Sequence, residues 1–155
     1  MTIHKNSLII IASMIFFLVG TTSLVAAVKD SVPTPKEHGV YAKTSKGLLR
    51  ILPNIVSDEK GVYYIEINNP QHFPLGSVEY FIIYGQFQFQ YLTLNPLVPF
   101  ETTPLGINRV MFGKDIDLVI TKKGDLLYTA KPKGLFGRGY YSLWIEDSAW
   151  DFVID

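Results

Sequence analysis

From Gly39 onward, apolar and polar residues alternate along the chain, and short polar stretches containing glycine interrupt the alternation. A period of two marks a strand with one buried face, because successive side chains of an extended chain point to opposite sides. In G-V-Y-A-K, Val40 and Ala42 point one way and Tyr41 and Lys43 the other. T-S-K-G then supplies a turn, and L-L-R-I-L a returning strand. The rhythm recurs as D-E-K-G (Asp58 to Gly61) ahead of V-Y-Y-I-E-I. It recurs again as K-K-G-D (Lys122 to Asp125) between D-I-D-L-V-I and L-L-Y-T-A. Repeated strand, glycine turn and strand predict an all-β domain of roughly seven to nine strands. The expected fold is an antiparallel β-sandwich, Ig-like or prealbumin-like, over residues 37–155.

Four stretches depart from the simple pattern. Val78 to Tyr84 is apolar on both faces after Glu79, which predicts a central strand covered on both sides. Q-F-Q-F-Q-Y, Gln86 to Tyr91, alternates strictly and predicts a half-buried strand with a glutamine face. Asn95 to Gly106 holds Pro96, Pro99 and Pro104; prolines cannot donate to a ladder, so this stretch is expected to be a long crossing loop rather than a central strand. Asn68 to Gly76 is the other sizeable loop, and long loops are frequent carriers of function.

The segment Gly137 to Phe152 crowds two tryptophans, two tyrosines and three carboxylates into sixteen residues. As a hairpin it needs no special chemistry. Tyr141, Leu143 and Ile145 share one face of the first strand; Trp150, Phe152 and Ile154 share one face of the second; Glu146 to Ser148 forms the turn. Asp151 and Asp155 then fall on the opposite, mostly polar side. Phe136-Gly137-Arg138-Gly139-Tyr140-Tyr141 is similar to the L-x-P-G-x-Y pattern of sandwich domains with a tyrosine corner, with Phe for Leu and Arg for Pro. That similarity implies a Tyr141 hydroxyl bonded to the main chain of the loop entering the strand, with Gly139 as the pattern's glycine; Trp150 and Phe152 are structural residues on the hairpin's apolar face.

The N-terminus has a different character. Lys5 is followed by an uncharged apolar run, Leu8 to Gly20, and then by small residues ending at Ala27. This is the layout of a secretory signal peptide over residues 1–27, cleaved after Ala27. Leu8 to Val28 is also long enough to span a bilayer, so an uncleaved membrane anchor is the alternative. Two prolines in the polar stretch 28–36 read as an extended linker. The chain has no cysteine, so it can be neither a lipoprotein nor disulfide-stapled, and a bacterial periplasm or surface fits better than an animal secretory route. Beyond residue 27, thirteen basic residues face fourteen acidic ones, a balance that argues against nucleic acid as a partner.

D-I-D-L-V-I, L-L-Y-T-A-K-P, G-R-G-Y-Y-S-L and A-W-D-F-V-I-D together resemble the ending of a loose group of secreted bacterial β-sandwich domains of unknown function. The resemblance covers Gly113 to Asp155, with a weaker match at Gly39 to Leu52. It implies a fold and transfers no catalytic residue.

Candidate chemistry is sparse. His38 and His72 are the only histidines beyond the leader, no G-x-S-x-G elbow occurs, and six serines lie in unremarkable positions. No catalytic residue, metal or cofactor is expected; Asp115 and Asp117 read as a solvated strand face. Binding is the expected role, with a protein or envelope component as partner, and membrane contact only if the N-terminal segment stays uncleaved. The candidate binding residues are Tyr140 and Trp144 on the far face of the hairpin, where core packing competes with an open stacking platform, and His72, Phe73 and Phe100 in the two loops. A small envelope hydrolase or carbohydrate-active protein is the alternative; it requires His38 or His72 to meet a serine and an acid in a cleft.

Overall fold

A computed structural model describes residues 31–155; the segment read as signal peptide or anchor and the first residues of the linker lie outside the described residues. The chain from Val32 to Asp155 is one compact unit. Its elements are thirteen strand segments and one short 3-10 turn at Phe89–Tyr91. The first sheet contains β1 (Gly39–Thr44), β2 (Gly47–Ile51), β7 (Val78–Tyr84), β10 (Leu118–Lys122) and β11 (Leu127–Pro132), in the order β10-β11-β7-β1-β2. The second contains β3 (Asn54–Ile55), β4 (Ser57–Glu59), β5 (Val62–Glu66), β6 (Gln71–Phe73), β8 (Thr93–Thr102), β9 (Asn108–Phe112), β12 (Gly139–Ile145) and β13 (Ser148–Ile154). Its order is β3-β13-β12-β8-β9-β5-β4, with β6 also on β13. All pairings are antiparallel except β6 on β13. The protein is an antiparallel β-sandwich. It has more segments than the turn count predicts because several are only two or three residues long.

The main core lies between the sheets. Val40, Ala42, Phe81, Ile83 and Ala130 of the first sheet meet Leu94, Leu143, Trp150, Phe152 and Ile154 of the second. β7 is central, and Phe81, Ile82 and Ile83 are fully buried, as its two-faced apolar sequence requires. Ile82 points away from the main core into a smaller cluster with Tyr41 and Leu127, against which Val32 also packs. The end of the linker is therefore part of the domain: Pro35 is buried, so the boundary expected at residue 37 moves back to residue 32.

A third cluster forms on the other face of the second sheet. That sheet curls until β3 at one edge meets β5 near the other, where Asn54 Nδ2 donates to Glu66 O at 2.8 Å. Ile65, Leu97, Val110 and Ala149 fill the inside of the curl, with Val56, Ile67 and Phe112 packed against them. This corrects the reading of the C-terminal hairpin. Its far side, expected to be mostly polar, is covered: Ser142 and Asp151 are 0% and 6% exposed. They form one cross-strand row with Asn95, which is 2% exposed.

Two loop readings are also corrected. Asn95 to Thr102 belongs to β8, which lies between β12 and β9 in the sheet. The prolines are tolerated because β8 changes partner along its length: Thr93 to Pro96 pair with β12, and Leu97 to Thr102 with β9. Each half has one unladdered side, and Pro99 adjoins a register shift. Asn68 to Gly76 contains β6, which pairs with the end of β13. Conversely, Gln86 to Tyr91 is not a strand. A bend and the 3-10 turn fold it across the end of the sandwich, where Phe87 packs on Trp150 and Phe89 stacks on Tyr128 at 3.6 Å. The alternation survives as burial, with Phe87 and Phe89 half-buried and the glutamines exposed, although no neighbouring strand pairs with it. Asp115 and Asp117 precede β10 rather than sharing a strand face within it.

Candidate functional site

The expected site residues separate into four environments. Phe73 is 1% exposed and packs edge-on against Phe152 at 5.9 Å; it belongs to the core and is no binding residue. Trp144 is half-buried, stacks on Phe112 at 4.3 Å and donates its indole N–H to Glu146 O at 2.6 Å. Its faces and its donor are occupied, so Tyr140 and Trp144 do not form a platform. Trp150 and Phe152 lie in the core, at 4% and 0% exposure.

Tyr140 and Phe100 come together. Tyr140 is 42% exposed and Phe100 36%, and both line a cleft of about 360 Å³. Leu97, Pro99 and Val110 contribute apolar surface; Glu101, Asn108 and Arg109 contribute polar groups. The charges are held rather than free. Arg109 bonds to Glu101 and to Glu66, lies within 3.6 Å of Glu59, and sits 4.8 Å above the Tyr64 ring. Desolvation works against its charge, but these hydrogen bonds and the neighbouring Tyr64 outweigh it and hold the guanidinium above the ordinary arginine range. The core expectation for Tyr140 fails because the curl closes beside it rather than over it.

His72 belongs to a second cleft, of about 480 Å³, with Arg50, Asn54, Asn68, Asn69, Gln71 and Asp151 among its lining residues. Its Nδ1 lies 3.0 Å from Asp155 Oδ2. Arg50 is likewise engaged, with the Glu37 carboxylate and with His38 O at 3.2 Å. At the inner wall is Asp151. Burial raises its carboxyl pKa, while the Asn54 amide and its own backbone N–H act in the opposite direction. Sequence reasoning missed Asp151 because it placed it simply on the mostly polar side of the hairpin.

Neither imidazole meets a hydroxyl nucleophile: among the described residues no hydrogen bond joins His38 or His72 to a serine. His38 packs edge-on to Tyr84 at 4.9 Å. No group of three His, Cys, Asp or Glu among the described residues is placed to hold a metal ion. No helix among them is long and apolar enough to cross a membrane.

A second tyrosine corner accompanies the expected one. Tyr141 Oη donates to Gly137 O at 3.1 Å, and Tyr41 Oη donates to Glu37 O at 2.9 Å. Each hydroxyl reaches the carbonyl four residues upstream, and each ring lies over a glycine two residues upstream, Gly139 or Gly39. Those glycines have φ of 146° and 149°, a conformation side chains rarely adopt. G-x-Y at a strand start marks both corners but also occurs at Gly61-Val62-Tyr63, where Tyr63 is exposed, so the sequence signal for the second corner is not specific. No protein-family model, curated protein or solved structure matches the chain.

Proposed function

We propose that this chain is a non-enzymatic binding module of a bacterial cell envelope, exported by its N-terminal segment, which engages an envelope component through the Tyr140–Phe100 cleft. The reading rests on one observation. Two exposed aromatic rings, distant in sequence, flank a single cleft with apolar walls and a polar rim. Such a surface suits a group with an apolar face and a hydroxylated or amide-bearing edge, above all a sugar ring of an envelope glycan. The C-terminal resemblance to secreted β-sandwich domains supports the same compartment. The hydrolase alternative has only the His72–Asp155 pair behind it, and that pair has no nucleophile in hand.

The test is co-sedimentation of the purified protein with insoluble envelope polysaccharide. The parent should bind, and Tyr140→Ala with Phe100→Ala should weaken binding by about tenfold or more, given what aromatic contacts contribute. Both rings are partly exposed, so the melting temperature should change little. Undiminished binding by the double variant would remove the cleft from the proposal, and release of soluble sugar by the parent would favour the hydrolase. N-terminal sequencing of the exported protein should begin at Val28; an intact Met1 in the membrane fraction would replace the signal peptide with an anchor.

A further inference from the structure

The edge of β13 carries an interruption. β3 pairs with its start, through Ile55 on Ser148 and Asn54 on Ala149. β6 pairs with its end, from Gln71 on Phe152 to Phe73 on Ile154. Trp150 and Asp151, between them, have no strand partner on that side among the described residues. A proline lies just beyond each flanking ladder: continuing the antiparallel register would bring Pro53 opposite Trp150, and continuing the parallel register would bring Pro70 opposite Asp151. The 480 Å³ cleft lies there, and both prolines line it.

The chemistry of the lining is one-sided. Asp151 is 6% exposed, yet among the described residues no Lys, Arg or His pairs with it. The two side chains on the walls that could oppose a carboxylate contact other acids: Arg50 contacts Glu37 and His72 contacts Asp155. Four carboxamides complete the polar lining: Asn54, Asn68, Asn69 and Gln71. Asn69 holds a left-handed backbone, φ 49°, in the turn that leads into β6. A buried carboxylate without a counter-ion is costly, and a cation arriving with its own hydrogen-bond donors relieves that cost.

We propose that the Asp151 cleft is a binding site for a small primary amine, whose ammonium group pairs with the Asp151 carboxylate and donates its remaining hydrogens to carboxamide oxygens of Asn68 or Asn69, the Asn54 oxygen being engaged by Ile55 N–H. An ammonium carries three donors and no acceptor, which matches a lining of one carboxylate and several amide oxygens. A divalent metal fits less well, because such ions favour several carboxylates and among the described residues only Asp151 supplies one to the lining. Among the described residues no Phe, Tyr or Trp lines the cleft, and its one aromatic ring, the His72 imidazole, is held by Asp155. Its volume exceeds that of a lone ammonium and accommodates a diamine or a free amino acid. The site shares no lining residue with the Tyr140–Phe100 cleft and does not depend on it.

The experiment is a titration of isotopically labelled protein, purified as the cell makes it, with 1,4-diaminobutane, with lysine, and with the fully N-acetylated form of each. The side-chain amide resonances of Asn68 and Asn69 should shift with the free amines. Acetylation should weaken binding by about tenfold or more, because it removes the charge and two of the three donors. Asp151→Asn should weaken it similarly, and Tyr140→Ala should leave it unchanged. If diaminobutane binds and lysine does not, the ligand class is polyamines; the reverse assigns amino acids. No shift at millimolar amine, equal binding of the acetylated forms, or full affinity in Asp151→Asn would each overturn the proposal. If Asp151→Asn fails to fold, the free and acetylated pairs on the parent protein decide the matter.

Discussion

At the scale of single residues, two hydroxyls and one carboxylate have environments that predict measurable effects. The Tyr141 and Tyr41 phenols each bond to a carbonyl four residues back while their rings are buried, at 8% and 9% exposure. Replacing either by phenylalanine removes one hydrogen bond and strands a carbonyl, which costs about 1 kcal/mol. The two corners lie on different sheets, so the double variant should lose roughly the sum. Urea unfolding measures this, and single variants as stable as the parent would show that the hydroxyls contribute nothing. Asp151 makes a prediction about pH. Its folded pKa is raised, chiefly by burial, above the ordinary 3.8. Between that value and the raised one, the folded state holds a proton that the unfolded state has released, so this group's contribution becomes less favourable as pH rises through the window. Relative to Asp151→Asn, the parent should therefore gain stability on acidification toward pH 4. A constant or opposite difference would mean that the carboxyl is not held in a disfavoured ionised state. Tyr141 was legible from its glycine and apolar neighbours. Asp151 was not, because alternation assigns a residue to a face without revealing what covers that face.

At the scale of elements, although β13 is buried on both faces where alternation predicts one, the C-terminal hairpin and the central β7 follow from period and hydrophobicity. The proline-bearing β8 does not. A rule that bars proline from central strands assumes that a central strand is paired on both sides along its whole length, whereas β8 shares its length between two partners. Gly113 secures the exchange. Its N–H donates to Pro96 O at 2.7 Å, and a Cβ at this position would lie 2.9 Å from that same backbone oxygen. Gly113→Ala must therefore push β8 and the chain after β9 apart, at a cost of about 1–3 kcal/mol by analogy with overpacking. Gly137→Ala is the control for adding a methyl alone, since neither glycine has a left-handed φ and a Cβ at 137 comes only to 3.7 Å from Tyr141 Oη. Thermal melts should place Gly113→Ala below the parent and below the control; the reverse order would show that the close approach is not what holds the exchange. Among the candidate site residues, sequence spacing named Tyr140 and Phe100 separately, but only the pairing of β8 with β9 and β12 brings them to one cleft.

At the scale of the whole molecule, the sandwich carries two interiors for its second sheet: one against the first sheet and one inside its own curl. The curl covers Ser142 and Asp151, leaves Tyr140 at a margin, and places the two clefts around itself. The sequence by itself determined the all-β class, the central strand, the closing hairpin and the tyrosine corner. Each depends on residues close together in the chain, through alternation, turn chemistry and a hydroxyl reaching back four positions. Tertiary structure alone decided how the sheet closes, how β8 divides itself between partners, and why a carboxylate is buried without a counter-ion. Those outcomes depend on which distant strands meet. Two-residue periodicity tells every strand which side to bury but never names the strand that will bury it.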